Sequence, residues 1–115
     1  MRSIDSDKNN LFRKFLLQGS ARELKKSNWI MLEGLRQIEE ALKAGANLEY
    51  LVFSDDKKGE RVLARMREES AELIDKLDQA QLICMGSDLF QRLSKTKTPQ
   101  GVLALLQPRR RSANT

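Results

Sequence analysis

The sequence predicts an α/β fold: an N-terminal helix, then four strands separated by helices, with the helices packed on a central, partly parallel sheet. Two observations carry this. Short apolar runs rich in β-formers alternate along the chain with segments whose apolar residues recur at helical spacing. Strands and helices that alternate in this way tend to pair their strands in one sheet and cover it with the intervening helices. The chain has 115 residues, of which 40% are apolar and 32% charged, so one domain can bury a real core.

Each element has its own signal. Leu11, Phe12, Phe15 and Leu16 share one helical face, and Gly19-Ser20 interrupts it. Ser20 with Glu23 three residues on reads as a capping box that restarts a short helix. Trp29 to Leu32 is a short apolar run ended by Gly34, a buried strand followed by a tight turn or close backbone approach. Leu35, Ile38, Ala41 and Leu42 form the face of the next helix, which Gly45 stops. "LEYLVFS" is the second strand, and Asp55, Asp56, Lys57, Lys58 and Gly59 make the loop after it. From Glu60 to about Leu77 the spacing is helical again, with Arg65, Glu68, Glu69, Glu72, Asp75 and Lys76 on a solvated face. "QLICM" is the third strand, Ser87 caps a short helix holding Leu89, Phe90 and Leu93, and Val102 to Leu106 is the fourth strand. Pro108 ends it, and "RRRSANT" reads as tail or linker.

The missing residue types exclude several chemistries. With no histidine and one cysteine, His-based acid–base work, catalytic triads and zinc sites are not available. Cys84, in "QLICMG", is expected as a small buried hydrophobe; it can form no internal disulfide, which fits a reducing cytoplasm. The N-terminus lacks the apolar stretch of a secretory signal, and no apolar run approaches the ~20 residues a membrane span needs. The net charge of +5 is unevenly placed. Residues 1–34 carry 7 basic and 4 acidic side chains, residues 35–94 carry 9 and 12, and residues 95–115 carry 5 and none. Two positive ends suit a polyanion such as nucleic acid, and equally serve solubility.

The stretch "SKTKTPQGVLALLQ", residues 94 to 107, sharpens the question, because a turn needs Pro99-Gln100-Gly101 but not the lysines. Together with "WIMLEGLRQIEEALKAG" and "LEYLVFS" it resembles the N-terminal substrate-binding domain of the SpoU (TrmH-like) family of RNA 2′-O-ribose methyltransferases. The matching residues are Glu33-Gly34, Glu40-Ala41-Leu42 with Gly45, Thr96, Thr98-Pro99-Gln100-Gly101-Val102, and Ala104, within roughly residues 9 to 107.

The resemblance implies a three-layer α/β/α sandwich with a four-stranded mixed sheet, similar to ribosomal proteins that bind kink-turn RNA. It implies that residues 1–107 are an RNA substrate-binding domain and 108–115 a linker toward an absent knotted methyltransferase domain. None of that domain's motifs is in the chain, so the resemblance points to an excised domain, with a truncated paralogue the alternative. By the same resemblance no cofactor binds this piece, S-adenosylmethionine serves the parent protein, and the partner is structured RNA, foremost rRNA. The piece is expected to be a cytoplasmic monomer without enzymatic activity of its own, and the parent a homodimer through the missing domain.

Two segments are the implied RNA contacts: Gly34, Arg36 and Gln37 after the first strand, and Lys95, Thr96, Lys97, Thr98 and Gln100 before the last. Glycine lets a backbone approach a ligand, and the helix that follows directs free N–H groups outward. Arg36 can fork onto phosphate, the two lysines supply charge, and Thr96, Thr98 and Gln100 can bond to phosphate, 2′-OH or base edges. The plain alternatives are an exposed first helical turn and a solvated, hydroxyl-capped loop. Asn9, Asn10, Arg13 and Lys14 read as solvated helix surface, Trp29 as core, and Arg109 to Arg111 as linker or RNA contact. Aromatic content of 5% argues against a platform for long single strands. Rival readings are a stand-alone RNA-binding protein, the equivalent domain of a tRNA enzyme, and a protein-interaction domain working through the acidic helix from Glu60 to Asp78.

Overall fold

A computed structural model describes residues 1–17 and 29–107. The helix restart expected at Ser20, with Arg22, Lys25 and Lys26, and the tail from Pro108 lie outside the described residues. The elements are β1 (Arg2–Ile4), α1 (Asn10–Leu16), β2 (Ile30–Glu33), α2 (Leu35–Lys43), β3 (Leu48–Asp55), α3 (Lys57–Glu69), α4 (Ala71–Asp75), a 3₁₀ turn (Gln79–Gln81), β4 (Leu82–Gly86), α5 (Ser87–Leu93) and β5 (Val102–Leu106).

The five strands form one mixed sheet in the order β1-β4-β3-β5-β2. β1, β4 and β3 run parallel, whereas β5 is antiparallel to both β3 and β2. β5 is inserted between its two antiparallel partners, and all five of its residues are buried. That explains why "VLALL" reads as an unbroken apolar run rather than an alternating one.

Successive strand residues point to opposite sides of a sheet, and the core divides accordingly. Val52, Ile83, Met85, Leu103 and Leu105 cluster with Phe12 and Phe15 of α1 and Leu89, Phe90 and Leu93 of α5. Leu51, Phe53, Leu82, Val102, Ala104 and Leu106 cluster with Ile38 of α2, Met66 of α3 and Ile74 of α4. Phe15, Trp29 and Tyr50 meet in tilted and edge-on pairs with ring centroids 5.4–5.6 Å apart. Trp29 thus packs beside the first cluster, as expected.

Local chemistry accounts for the helix ends. Asn9 caps α1, its Oδ1 accepting from the N–H of Leu11 at 2.9 Å and of Phe12 at 3.0 Å. α2 ends in a Schellman arrangement: Gly45, at φ 93°, donates to the Leu42 carbonyl and Ala46 to that of Ala41.

Several expectations are corrected. The strand expected to be buried from Trp29 to Leu32 is not: in β2 Ile30 is exposed and Met31 to Glu33 are half-buried, because β2 is the outermost strand of the sheet. The sheet has five strands, not four; β1 was invisible because only Ile4 of its three residues is buried, which leaves no apolar run to detect. The helix expected over 60–77 is two helices, because Ser70 leaves helical geometry (φ −134°, ψ 38°) and turns its hydroxyl onto Glu39 Oε2 at 2.6 Å. Lys57, Lys58 and Gly59 are the first turn of α3 rather than a loop. Ser87 lies inside the first turn of α5 and makes no capping bond; Gly86 holds the cap position. Cys84 is half-buried and belongs to neither cluster. Among the described residues, no helix is long and apolar enough to cross a membrane.

Candidate nucleic-acid interface

β2, β3 and β4 all end at the same edge of the sheet, where β5 begins. The pairings Glu33 with Leu103, Phe53 with Val102 and Asp55 with Gly86 fix this. Ligands of α/β sheets commonly bind outside the carboxyl ends of the strands, and both sequence-predicted segments lie along this edge. α2 starts here after Gly34, α3 after Asp56, α5 after Gly86, and the loop 94–101 runs among them.

Backbone contacts seat that loop. Gly101 accepts from Ser54 N–H at 3.0 Å, and Gly34 N–H donates to the Val102 carbonyl at 3.2 Å. Two glycines make the approach possible. A Cβ on Gly59 would lie 1.7 Å from the Ser54 carbonyl oxygen, and one on Gly101 (φ +94°) 2.8 Å from Gly59 N. Lys58 Nζ reaches across to donate to the Pro99 carbonyl at 3.3 Å.

The start of the loop is tied to the end of β2. Glu33 Oε2 accepts from Ser94 Oγ at 2.6 Å, and its Oε1 accepts from the Lys95 N–H at 2.5 Å. Thr96 N–H donates in turn to Ser94 Oγ at 3.2 Å. The two lysines of the loop then part. Lys95 lines a recess with Arg92, Ser94, Phe15, Leu16 and Met31. Lys97 and Thr98 line a separate open cleft of about 510 Å³, together with Lys57, Lys58, Ser87 and Gln91, over Phe90 and Pro99.

The remaining predicted residues sit at the start of α2. Gly34, at φ 94°, leaves room for the Gln100 side chain; a Cβ there would come within 2.8 Å of Gln100 Oε1. Gly34 and Gln100 are therefore in contact, with Gln100 on the glycine's open side. Arg36 and Gln37 are exposed in the first turn, and Arg36 Nε lies 3.5 Å from Glu40 Oε1. Asn9 is engaged as a cap. Arg92 is also engaged, 3.7 Å from Asp7 and with its guanidinium 5.3 Å from the centre of the Phe12 ring.

Two titratable groups at this edge are shifted. The Ser54 hydroxyl donates to Asp56 at 2.7 Å and the Gly59 N–H at 3.0 Å; with nearby Lys58, these bonds hold the Asp56 carboxyl below the usual carboxylate range. Burial, then the neighbouring Asp55 carboxylate, pushes the Cys84 thiol up, which suppresses its thiolate. Among the described residues, no group of three or more His, Cys, Asp and Glu side chains could hold a metal ion. The cleft does not fit S-adenosylmethionine either: three lysines against one carboxylate repel a ligand that is itself a net cation.

Sequence reasoning missed Lys57, Lys58 and the cleft they line with Lys97. The available signal was "DDKKG" at the carboxyl end of a strand, the position where such sheets bind ligands.

The fold and this edge are those of a mixed α/β sheet whose strand ends present lysines, hydroxyls and a helix start. The chain belongs to the MRM3-like substrate-binding domain family, whose model matches residues 15–104. The resemblance read from the sequence is thus borne out. Solved structures share the fold. An rRNA methyltransferase from Sinorhizobium meliloti superposes with a TM-score of 0.71 at 15% identity, over 94% of this chain and 37% of its own. An RNA 2′-O ribose methyltransferase gives 0.65 at 22% identity, over 95% and 39%. The SpoU methyltransferase AviRb from Streptomyces viridochromogenes, in complex with AdoMet, gives 0.56 at 21% identity, over 86% and 33%. The chain spans between about a third and two fifths of the length of each. No curated protein matches it significantly.

Proposed function

We propose that this chain is the RNA-recognition domain of an S-adenosylmethionine-dependent rRNA 2′-O-ribose methyltransferase, and that the carboxyl edge of its sheet faces the RNA. On this reading the two helix sets flank the sheet as a three-layer α/β/α sandwich. Cofactor binding, methyl transfer and dimerisation belong to the rest of the parent protein.

The observation that carries the reading is convergence. Gly34, Arg36, Gln37 and the loop from Lys95 to Gln100 are far apart in sequence, yet lie along one sheet edge. Lys57 and Lys58, from a third segment, join Lys97 in the cleft. Lysines spread over such an edge neutralise phosphates, while hydroxyls and amides between them can bond to sugar and base edges. The family match and the structural relatives, an rRNA methyltransferase and an RNA 2′-O ribose methyltransferase, support the choice of RNA.

The test is binding of the chain to bacterial rRNA fragments and to duplex DNA over a salt series, alongside a Lys95→Ala/Lys97→Ala variant. Preferential binding of one rRNA fragment is expected. The variant should weaken it and flatten the slope of log affinity against log salt by about one to two units. Equally weak binding of RNA and DNA, unchanged in the variant, would overturn the reading.

A further inference from the structure

We infer that Glu33 is a positioning residue for RNA selection, its carboxylate holding the loop from Ser94 to Thr96 in the shape the RNA meets. The inference rests on the RNA-facing reading of this edge. It starts from an apparent conflict. A carboxylate beside Lys95 opposes the approach of a polyanion, yet Glu33 stands at the end of the sheet that carries the lysines, at the close of the outermost strand, β2.

The geometry shows what the carboxylate does there. Both of its oxygens are used. Oε1 takes the Lys95 backbone N–H at 2.5 Å, and Oε2 takes the Ser94 hydroxyl at 2.6 Å and, at a longer 3.4 Å, that of Thr96. Ser94 Oγ passes the restraint on by accepting from Thr96 N–H at 3.2 Å. The anchor is part of the sheet: Glu33 closes β2 opposite Leu103, and the next residue, Gly34, donates to Val102. The loop belongs to neither helix nor strand, and these bonds stand in for the ladder it lacks. Charge-assisted bonds of this kind are the strong ones. Glu33 therefore trades some electrostatic attraction for a fixed loop, which favours RNA of matching shape over any other polyanion.

The two effects have opposite signs, and this makes the inference testable. If Glu33 mattered only as a charge, Glu33→Gln would bind every nucleic acid more tightly, most of all at low salt. As a positioning residue, Glu33→Gln should weaken binding of the preferred rRNA fragment roughly tenfold while leaving duplex DNA unchanged or tighter. Amide exchange at Lys95 and Thr96 should accelerate in the same variant, with the rest of β2 and β5 unaffected. Ser94→Ala, which removes the same bond from its other end without altering charge, should reproduce the loss of selectivity and keeps the question answerable if Glu33→Gln folds poorly. Tighter or equal rRNA binding by Glu33→Gln, or wild-type selectivity in Ser94→Ala, would overturn the inference. Absence of any rRNA preference in the unaltered chain would instead overturn the RNA-facing reading itself.

Discussion

Asp56 shows how one side chain serves both a helix and the candidate interface. It caps α3 by accepting from Gly59 N–H at 3.0 Å, and it lines the cleft beside Lys57 and Lys58. Asp56→Ala should cost about 1 kcal/mol, the usual loss for an N-cap, read as a lower midpoint in urea. The pH dependence has a definite sign. The folded chain lowers the carboxyl's pKa from 3.8, first through the Ser54 hydroxyl and then through Gly59. Its stabilisation is therefore full above the unfolded value and is lost as pH falls through the folded one. Thermal melts of wild type and Asp56→Asn should differ most above pH 4 or so and converge under stronger acid. Gly59 is the harsher case. A methyl group there meets the Ser54 carbonyl oxygen at 1.7 Å, inside backbone that cannot yield cheaply. Gly59→Ala should destabilise the chain by about 3 kcal/mol or more and lower Tm by roughly 10 °C or more.

At the scale of elements, β1 and the junction at Ser70 are the instructive pieces. β1 contributes three residues, of which only Ile4, 2% exposed, enters the core beside Phe12 and Met85. Truncating that side chain removes the apolar anchor of an edge strand otherwise held by parallel pairing with β4. Ile4→Ala should cost about 2–4 kcal/mol, measured by denaturant unfolding. A result within ~0.5 kcal/mol, the range of a surface position, would mean that β1 is not part of the sheet. Both features escaped the sequence for a physical reason. A strand one residue deep has no period to read, and the apolar spacing of α3 continues into α4 because both helices cover the same cluster. By contrast β3, β4 and β5 were legible because each buries several side chains of one short apolar run, and α2 because half-buried Leu35, Ala41 and Leu42 surround buried Ile38 at helical spacing.

For the whole molecule, the charge pattern and the sheet geometry meet at one edge. α2 begins at that edge with Gly34 and ends at the other with Lys43, which makes Lys43 a built-in control. Lys43→Ala should change rRNA affinity by less than about twofold, whereas Lys57→Ala/Lys58→Ala should weaken it and reduce the salt slope by about one unit, both read from the same titrations. Equal effects at the two places would mean that RNA is attracted by net charge alone. The candidate site was partly legible in the sequence. "SKTKTPQG" and "LEG" announced themselves as a basic, hydroxyl-rich loop and a strand-ending glycine, because turns and charges leave local signatures. Lys57 and Lys58 did not stand out, since a pair of lysines after two aspartates has no meaning until it is known what lies opposite.

The sequence by itself determined the fold class, most of the elements, the family and the absence of histidine chemistry, because these follow from composition, period and local motifs. The tertiary structure alone decided that β5 lies between β2 and β3, that Glu33 ties down a loop 61 residues away in sequence through Ser94, and that Lys95 and Lys97 face different recesses. Each of these depends on which segments the sheet brings together. Pairing of that kind is settled by burial over the whole chain, not by any short stretch of it.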